Sequence, residues 1–300
     1  MSKAQLNVAI AIVLQHGKVL VGFREAIQHQ GNKYEFPGGK VEAGESPIEA
    51  CRREVFEEVG VGIQDWHHFD FIQHEYEDVI VNLHVFHAIL PVELNNEIQK
   101  PWCWYSRAEL SELNFPKANQ RLIQRLVWPN AIKISSNLNA LTECSHEQLF
   151  YWRNDLDEAA QLELLADISV QELNQVIVNT QLYAKLNSIQ QANVAAIHLK
   201  QQQLLNMHAE DLILGQRYVA SCHDEVSLQH AQRIGCDAVL LSPVHTTATH
   251  PEANPLGWPR FAQLSAVMHI PVFALGGLTP ADLIQAKQHG AYGVAGQRFF

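Results

Sequence analysis

The second half of the chain alternates short apolar segments with helical patterns, and no other feature limits its fold as strongly. Eight segments within residues 130–300 are rich in Val, Ile, Leu, Ala and aromatic residues, which is typical of buried strands. They are residues 132–135, 149–152, 176–179, 195–199, 217–221, 238–242, 271–275 and 292–295. Helical patterns separate most of them, for example at 225–234 and 280–288. Strands that alternate with helices in this way predict a small α/β barrel of the TIM type.

The first half has a different pattern, that of an α+β unit. Apolar and β-branched residues predict strands at 8–14, 18–22, 79–90 and 102–105, and a helix at 120–127. A chain of 300 residues is long enough for two domains. Because Pro129 disfavours continuation of the helix, we place the boundary there. The sequence therefore predicts domains at residues 1–129 and 130–300.

Composition excludes several classes of protein. Apolar residues make up 47% of the chain, which favours packed cores, and the net charge of −11 argues against a broad surface for duplex nucleic acid. Five cysteines without a C-x-x-C pair indicate a reducing compartment. No apolar stretch reaches transmembrane length. We therefore expect a cytoplasmic protein that binds neither duplex nucleic acid nor membranes, and the oligomeric state stays open.

Residues 38–61 read GGKVEAGESPIEACRREVFEEVGV and predict a glycine-rich loop followed by a helix. Ser46 and Glu49 form a capping box, and Pro47 falls at the first helical position. Gly60 is typical of a helix C-terminus. The glycines of the loop let its backbone come close to a ligand.

This helix gathers three glutamates, Glu54, Glu57 and Glu58, within about one turn. Residues three and four apart are neighbours on a helix, and like charges there repel by about 0.2–0.5 kcal/mol per pair. A fold therefore gains nothing from the cluster unless a cation lies among the carboxylates. Mg²⁺ and Mn²⁺ prefer such oxygen ligands, so the pattern favours a divalent metal, Mg²⁺ first and Mn²⁺ as the alternative.

The segment resembles the Nudix box, with Gly39, Glu45, Arg53-Glu54, Glu57-Glu58 and Gly60 at its fixed positions. EFPGGK at 35–40 and FPKAN at 115–119 narrow the resemblance to the MutT branch of that family. The resemblance implies a mixed sheet with a catalytic helix. It also implies Mg²⁺-dependent hydrolysis of a small nucleotide, such as 8-oxo-dGTP, to the monophosphate and pyrophosphate. Such an activity cleans the nucleotide pool and serves DNA repair.

The same resemblance assigns roles to individual residues. The implied metal ligands are the Gly38 carbonyl and the side chains of Glu54, Glu57, Glu58 and Glu97. Either Glu54 or Glu97 would act as general base. Arg53 would orient the acidic cluster through an i,i+4 pair with Glu57. The implied substrate-binding residues are Arg24, His29, Glu35, Phe36, Pro37, Gly38 and Asn119, the last reading the purine edge.

Several of these residues have a simpler interpretation. Glu97 could be a solvated surface residue, and Asn119 could be the N-cap of the helix that follows it. Arg24 could form a surface ion pair with Glu25. The arginine that the family carries near Val79 is absent, which weakens the expected affinity for phosphate or base.

The second half resembles the thiamine phosphate synthase family, including its TenI relatives. The resemblance rests on SCHD at 221–224, SPVHTTATHPEANPLGW at 242–258 and PVFALGGLTP at 271–280. It implies a phosphate site at the backbone of Gly276 and Gly277. The further ligand candidates are Arg153, His223 and Gly296. His223 matches a histidine used in thiazole tautomer chemistry, and a structural histidine at a strand end is the alternative.

The family's metal and pyrophosphate positions are altered in this chain, where they read Asp155, Thr180, Gln203 and His250. Because condensation depends on charge stabilisation at those positions, we predict no synthase activity. The barrel is then a module that binds a phosphorylated ligand or serves as a scaffold. The alternative is a bifunctional thiamine-pathway enzyme, in which the first half cleaves a thiamine-related pyrophosphate.

Overall fold

The computed structural model describes residues 3–25, 31–247, 252 and 254–297. The chain forms two compact units. The first comprises Met1–Trp128 and Ile213–Gly215, and the second comprises Pro129–Leu212 and Gln216–Phe300. None of the helices in the described ranges has the length and apolar character needed to cross a membrane.

The first unit is a seven-stranded mixed sheet with one long helix. Its strands are β1 (Ala4–Gln15), β2 (Lys18–Arg24), β3 (Lys33–Glu35), β4 (Gly38–Lys40), β5 (His67–Glu75), β6 (Val79–Ile89) and β7 (Cys103–Ser106), and its helices are α1 (Pro47–Val59) and α2 (Gln120–Leu126). The order is β3-β2-β1-β6-β5, with β4 also on β1 and β7 on β2. β1 and β6 are parallel, and the remaining described pairs are antiparallel. The predicted mixed sheet is confirmed.

The core of this unit lies between the sheet and α1. The helix buries Ala50, Cys51, Val55 and Val59, which recur at three- and four-residue steps. They pack in one cluster with β1 residues such as Val13 and with Phe86 of β6. Because the apolar face of α1 packs against the sheet, its acidic face points towards the glycine loop.

The second unit is a closed parallel barrel in the order β10-β11-β12-β13-β14-β15-β8-β9. Its strands are β8 (Ala131–Ser135), β9 (Gln148–Trp152), β10 (Val176–Asn179), β11 (Ala196–Leu199), β12 (Tyr218–Cys222), β13 (Ala238–Leu241), β14 (Val272–Leu275) and β15 (Gly293–Gly296). All eight predicted strands are present, each within one residue of its predicted ends. The predicted TIM-type barrel is confirmed.

The helices of the barrel are short. They are α3 (Glu158–Ala166), α4 (Val170–Leu173), α5 (Thr180–Tyr183), α6 (Ser188–Asn193), α7 (Gln201–Leu204), α8 (Glu225–Ile234), α9 (Gly257–Ala266) and α10 (Leu283–Gln288). The helix predicted at 280–288 begins as a 3₁₀ turn, Pro280–Asp282, before α10. α4, α5 and α7 have only four residues each, about one turn, and such short helices let a barrel form from a short chain.

Candidate functional sites

The glycine loop of the first unit lies directly against β1. Gly39 pairs with Ala9 and Gly38 with Ile10, while Ala11 N donates to the Pro37 carbonyl at 2.8 Å. Gly38 has φ +150°, and a Cβ there would lie 2.1 Å from the Ala9 carbonyl oxygen. Only glycine fits at residue 38, and the loop backbone is thereby held in place.

The acidic face of α1 meets this loop. The helix starts at the predicted capping box, in which Ser46 N donates to Glu49 Oε2 at 2.7 Å, and it ends at Gly60 with φ +87°. Glu58 Oε2 accepts from Gly38 N at 3.0 Å. The Glu54 carboxylate lies so close to Gly39 that a Cβ there would be 2.1 Å from Oε1. The structure therefore brings two of the predicted glutamates onto the glycine loop.

Arg53 connects the loop to the helix. Its guanidinium lies 2.8 Å from Glu45, 2.9 Å from Glu54 and 3.3 Å from Glu57, and it donates to the Lys40 carbonyl at 3.2 Å. The predicted pair with Glu57 is present, but the contacts with Glu45 and Glu54 are shorter. The hydrogen bond from Arg53 lowers the pKa of Glu45. Arg53 thus orients carboxylates and is a positioning residue.

The donor chemistry of this cluster fits a divalent cation. Burial raises the pKa of Glu58 to about 7, and repulsion from Glu35 and Glu54 adds to the shift. Such crowded carboxylates are relieved by a hard cation, which takes oxygen ligands. Among the described residues no three His, Cys, Asp or Glu side chains already form a metal cage. The fit is therefore one of donor chemistry, and Glu54, Glu57, Glu58 and the Gly38 carbonyl as the ligands of one ion stay a prediction.

Glu97 ends a 3₁₀ turn, Val92–Glu97, and its side chain is exposed. The segment that follows is anchored at the C-terminal end of α1. Gln99 N donates to the Val59 carbonyl at 3.1 Å, and Trp102 Nε1 donates to the Glu58 carbonyl at 2.8 Å. Glu97 therefore lies just before a chain segment that is hydrogen-bonded to the end of the acidic helix, and its role as ligand or base stays a prediction.

The predicted base-binding residues differ in their surroundings. Phe36 is buried and stacks on Phe115, with ring centroids 4.9 Å apart. Arg24 forms an ion pair with Glu35, and burial raises the pKa of Glu35 although Arg24 lowers it. His29 lies outside the described residues.

Asn119 is 6% exposed, and its side chain makes no cap hydrogen bond at the start of α2. Asn119 thus occupies the N-cap position of α2, but its side chain does not cap the helix. Its backbone is already in helical geometry, at φ −87° and ψ −6°, whereas an N-cap is normally extended. The role of Asn119 in reading a purine edge stays a prediction.

The barrel encloses a cavity of about 580 Å³ at the carboxyl ends of its strands. The predicted candidates Arg153, His223, Gly276, Gly277 and Gly296 all line it. Gly276 and Gly277 have φ +109° and +72°. A Cβ on either would meet Pro243 or His245 at under 3 Å, so both positions require glycine. His250 lies outside the described residues.

Sequence reasoning missed a hydrogen-bonded group on the floor of this cavity. The hydroxyl of Tyr151 lies 2.9 Å from His198 Nδ1, and His198 Nε2 lies 2.7 Å from Ser221 Oγ. Burial, with Arg153 and Lys200 nearby, lowers the pKa of His198 to about 3, and burial raises the pKa of Tyr151 to about 12. The group is therefore neutral at pH 7.

His223 donates from Nδ1 to the Ser242 carbonyl at 2.8 Å. A carbonyl only accepts, so this bond places the proton on Nδ1. The contact supports the structural interpretation of His223 as a strand-end histidine. The side chain also lines the cavity, and a role towards a ligand stays a prediction.

The buried His198 predicts a pH dependence of stability. Its folded pKa of about 3 lies below the ordinary histidine pKa of 6.5, so between these values the unfolded chain binds a proton that the folded chain does not. The free energy of unfolding should therefore fall as pH is lowered from about 6.5. We expect His198→Gln to flatten this dependence in urea unfolding of the barrel, and His146→Gln, at an exposed position, to leave it unchanged. Equal slopes in the two variants would contradict the assignment.

Comparison with known proteins agrees with the geometry of the first unit. The NUDIX domain family matches residues 8–125. The 8-oxo-dGTP diphosphatase of Escherichia coli K12 is 33% identical over 130 residues, which cover 41% of this chain and 96% of that protein. The chain belongs to the Nudix family. The 8-oxo-dGTP diphosphatase of Haemophilus influenzae Rd is similar at 32% identity over 130 residues, covering 42% and 95% of the two chains.

The Nudix hydrolase carries a second family domain. The family described as thiamine monophosphate synthase matches residues 153–299. The putative thiamine-phosphate synthase 2 of Aquifex aeolicus VF5 is 40% identical over 80 residues, which cover 27% of this chain. The match spans 43% of that relative's length. The fusion predicted from the sequence is thus confirmed at the level of the two families.

Proposed function

We propose that the Nudix domain hydrolyses 8-oxo-dGTP to 8-oxo-dGMP and pyrophosphate with Mg²⁺, and so cleans the nucleotide pool in the cytoplasm. The observation that carries the proposal is the buried amide of Asn119, which caps no helix and follows by four residues Phe115, the ring that stacks on Phe36. An amide presents both a donor and an acceptor, which suits the edge of a purine. The relatives named 8-oxo-dGTP diphosphatase support this choice of substrate.

In this proposal, different residues of the first unit bind the metal, accept the proton of water and position the carboxylates. Glu54, Glu57, Glu58 and the Gly38 carbonyl would hold the cation, with Glu97 as a further ligand. When bound, Mg²⁺ supplies charge neutralisation for the phosphates and for the leaving pyrophosphate. Glu54 or Glu97 takes the proton of the attacking water. Arg53 keeps Glu54 and Glu45 in place through the contacts of 2.9 and 2.8 Å.

A substrate panel tests this proposal directly. Turnover of 8-oxo-dGTP, dGTP and thiamine diphosphate should be compared with Mg²⁺ and with Mn²⁺. We expect the highest kcat/KM for 8-oxo-dGTP with Mg²⁺. A preference for the thiamine compound would instead favour the thiamine-pathway alternative, which the family match at residues 153–299 supports.

Replacing Asn119 by Ala should reduce selectivity without unfolding the protein. If the amide reads the purine, discrimination between 8-oxo-dGTP and dGTP should fall by about 1–3 kcal/mol, the cost of a lost polar contact at a buried site. The measurement is the ratio of kcat/KM for the two nucleotides. Asn139→Ala removes an exposed amide and serves as the control. An unchanged ratio in Asn119→Ala would exclude this residue from base recognition.

For the barrel, the proposed function is binding of a phosphorylated ligand without synthase activity. Two positions where the family resemblance implies acidic metal ligands hold neutral side chains. They bond to one another, since Gln203 Nε2 donates to Thr180 Oγ1 at 3.0 Å. Gly276 and Gly277, by contrast, keep the backbone geometry that lets N–H groups approach a phosphate. Calorimetry with thiamine phosphate, beside an assay for synthase product, tests the two halves of this proposal.

A further inference from the structure

The last turn of α1, which carries Glu57 and Glu58, ends against a short segment that precedes β7. The last four carbonyls of a helix have no partner within the helix. Gln99 N donates to the Val59 carbonyl at 3.1 Å. Trp102 Nε1 donates to the Glu58 carbonyl at 2.8 Å, and Trp102 N closes the turn by donating to the Gln99 carbonyl at 3.2 Å. The end of the acidic helix is therefore held by groups that lie outside the helix.

The indole ring of Trp102 also packs against β2. A Cβ on Gly22 would lie 2.8 Å from Cζ3, 2.9 Å from Cε3 and 3.1 Å from Cη2 of the ring. Gly22 pairs with Glu35 of β3, and Glu35 forms the ion pair with Arg24 of β2. Trp102 is 7% exposed and belongs to the core cluster that contains Val55 of α1. One buried side chain thus contacts both β2, beside the Arg24–Glu35 pair, and the last turn of α1.

The position of the Glu58 carboxylate depends on both of these elements. The carboxylate accepts from Gly38 N at 3.0 Å. Burial raises the pKa of Glu58, the charge of Glu35 adds to that shift and the charge of Arg24 opposes it, so both side chains lie near the carboxylate. Glu58 therefore lies among α1, the glycine loop and the β2–β3 pair. A shift of the last turn of α1 relative to β2 would move this carboxylate away from Gly38.

We propose that Trp102 is a positioning residue of the Nudix site, which holds the last turn of α1 at the distance from β2 that places Glu58 for a divalent cation. The inference deepens the proposed function of the Nudix domain and rests on its metal site. The indole N–H satisfies the Glu58 carbonyl, while the ring sets the distance to Gly22. Trp102 itself contacts neither the metal nor the nucleotide, and its effect passes through Glu58. Groups that orient metal ligands typically contribute about 10–100-fold to metal affinity.

Titration of the full chain with Mn²⁺, followed by electron paramagnetic resonance, tests this role without any substrate. Trp102→Phe keeps an aromatic ring and removes the N–H, and we expect it to raise the Kd for Mn²⁺ about tenfold or more. Glu58→Gln removes the ligand itself and should raise Kd at least as much, which identifies the Nudix site in the titration. The matched control is Trp66→Phe, because Trp66 is 8% exposed in the same core cluster and donates from Nε1 to the Ile63 carbonyl at 2.9 Å. This control should leave Kd unchanged.

A second variant displaces the ring without changing Trp102. Gly22→Ala would place a methyl group within 3.1 Å of three indole atoms, so the ring must shift. The backbone of Gly22 is not in the left-handed region, and alanine is therefore compatible with β2. We expect the Kd for Mn²⁺ to rise as it does in Trp102→Phe. Gly62→Ala, whose Cβ meets nothing within 4 Å, should leave Kd unchanged.

A Kd that Trp102→Phe and Gly22→Ala leave unchanged would overturn the proposal. An equal rise of Kd in Trp66→Phe would do the same, because it would indicate a general effect of the core, and so would an unchanged Kd in Glu58→Gln. The titration contains no nucleotide, so failure of the wild type to hydrolyse 8-oxo-dGTP would remove the proposed substrate and leave the role of Trp102 standing. Melting temperatures show which variants are folded during the titration, and if Trp102→Phe is unfolded, the Kd of Gly22→Ala decides.

Discussion

Replacing any one of Glu54, Glu57 and Glu58 by Gln is expected to lower kcat about 100-fold or more while the protein stays folded. The change keeps the size of each side chain and removes the charge that a metal ligand or general base needs. None of the three is required by the core, because α1 packs through Val55 and its neighbours on the opposite face. Steady-state turnover of 8-oxo-dGTP and thermal melting should be measured on the same samples.

The matched control for these variants is Glu112→Gln, which removes an exposed carboxylate from the same unit. Its kcat should equal that of wild type. Full activity in all three helix variants would refute the metal-site assignment. A parallel loss of melting temperature would instead indicate that the glutamates stabilise the fold.

Gly39→Ala is expected to have a similar effect on kcat, although it changes no catalytic group. The new methyl would lie 2.1 Å from Oε1 of Glu54 and 2.3 Å from its Cδ. The end of a flexible side chain can move aside, so the fold survives, but the carboxylate must shift by more than about 1 Å. A misplacement of that size can cost about 100-fold in rate.

Gly62→Ala provides the control for this prediction, because a Cβ there meets nothing within 4 Å. It should retain the wild-type kcat. Gly38→Ala should behave differently from Gly39→Ala, since its Cβ would strike the Ala9 carbonyl, which cannot move without breaking the sheet. We expect Gly38→Ala to lower the melting temperature. Wild-type kcat in Gly39→Ala would show that the position of Glu54 is not critical.

The barrel was predictable because its strands are buried on both faces. Strands such as β10 and β13 are mostly continuous apolar runs. Short apolar strands that alternate with helices are compatible with few folds other than a parallel α/β barrel or sheet. β5 was missed for the opposite reason. It lies at the edge of its sheet and alternates buried residues with His68, Gln73 and other polar ones. Pairing with β6, rather than local composition, makes it a strand.

The candidate sites show the same limit. The glutamates of α1 are neighbours through helix geometry alone, so their spacing was enough to predict their shared face. Tyr151, His198 and Ser221 come from three strands separated by 47 and 23 residues. Pairing of β9, β10, β11 and β12 in one sheet brings them together. Likewise, a capping side chain at Asn119 was reasonable from residue type, but Asn119 also ends the preceding 3₁₀ turn, and its side chain makes no capping hydrogen bond.

The contacts of Arg53 have a consequence for how the metal-free enzyme is kept ready. One guanidinium contacts the backbone of β4, the loop at Glu45 and two carboxylates of α1, Glu54 and Glu57. Its positive charge acts as an internal counterion and reduces the repulsion among the carboxylates of Glu45, Glu54 and Glu57. Its longest charge contact is with Glu57, whose side chain is 57% exposed. An exposed pair of this kind contributes little free energy, so Glu57 is the carboxylate that Arg53 could release most easily to hold a cation, while Arg53 still holds Glu45 and Glu54 in place.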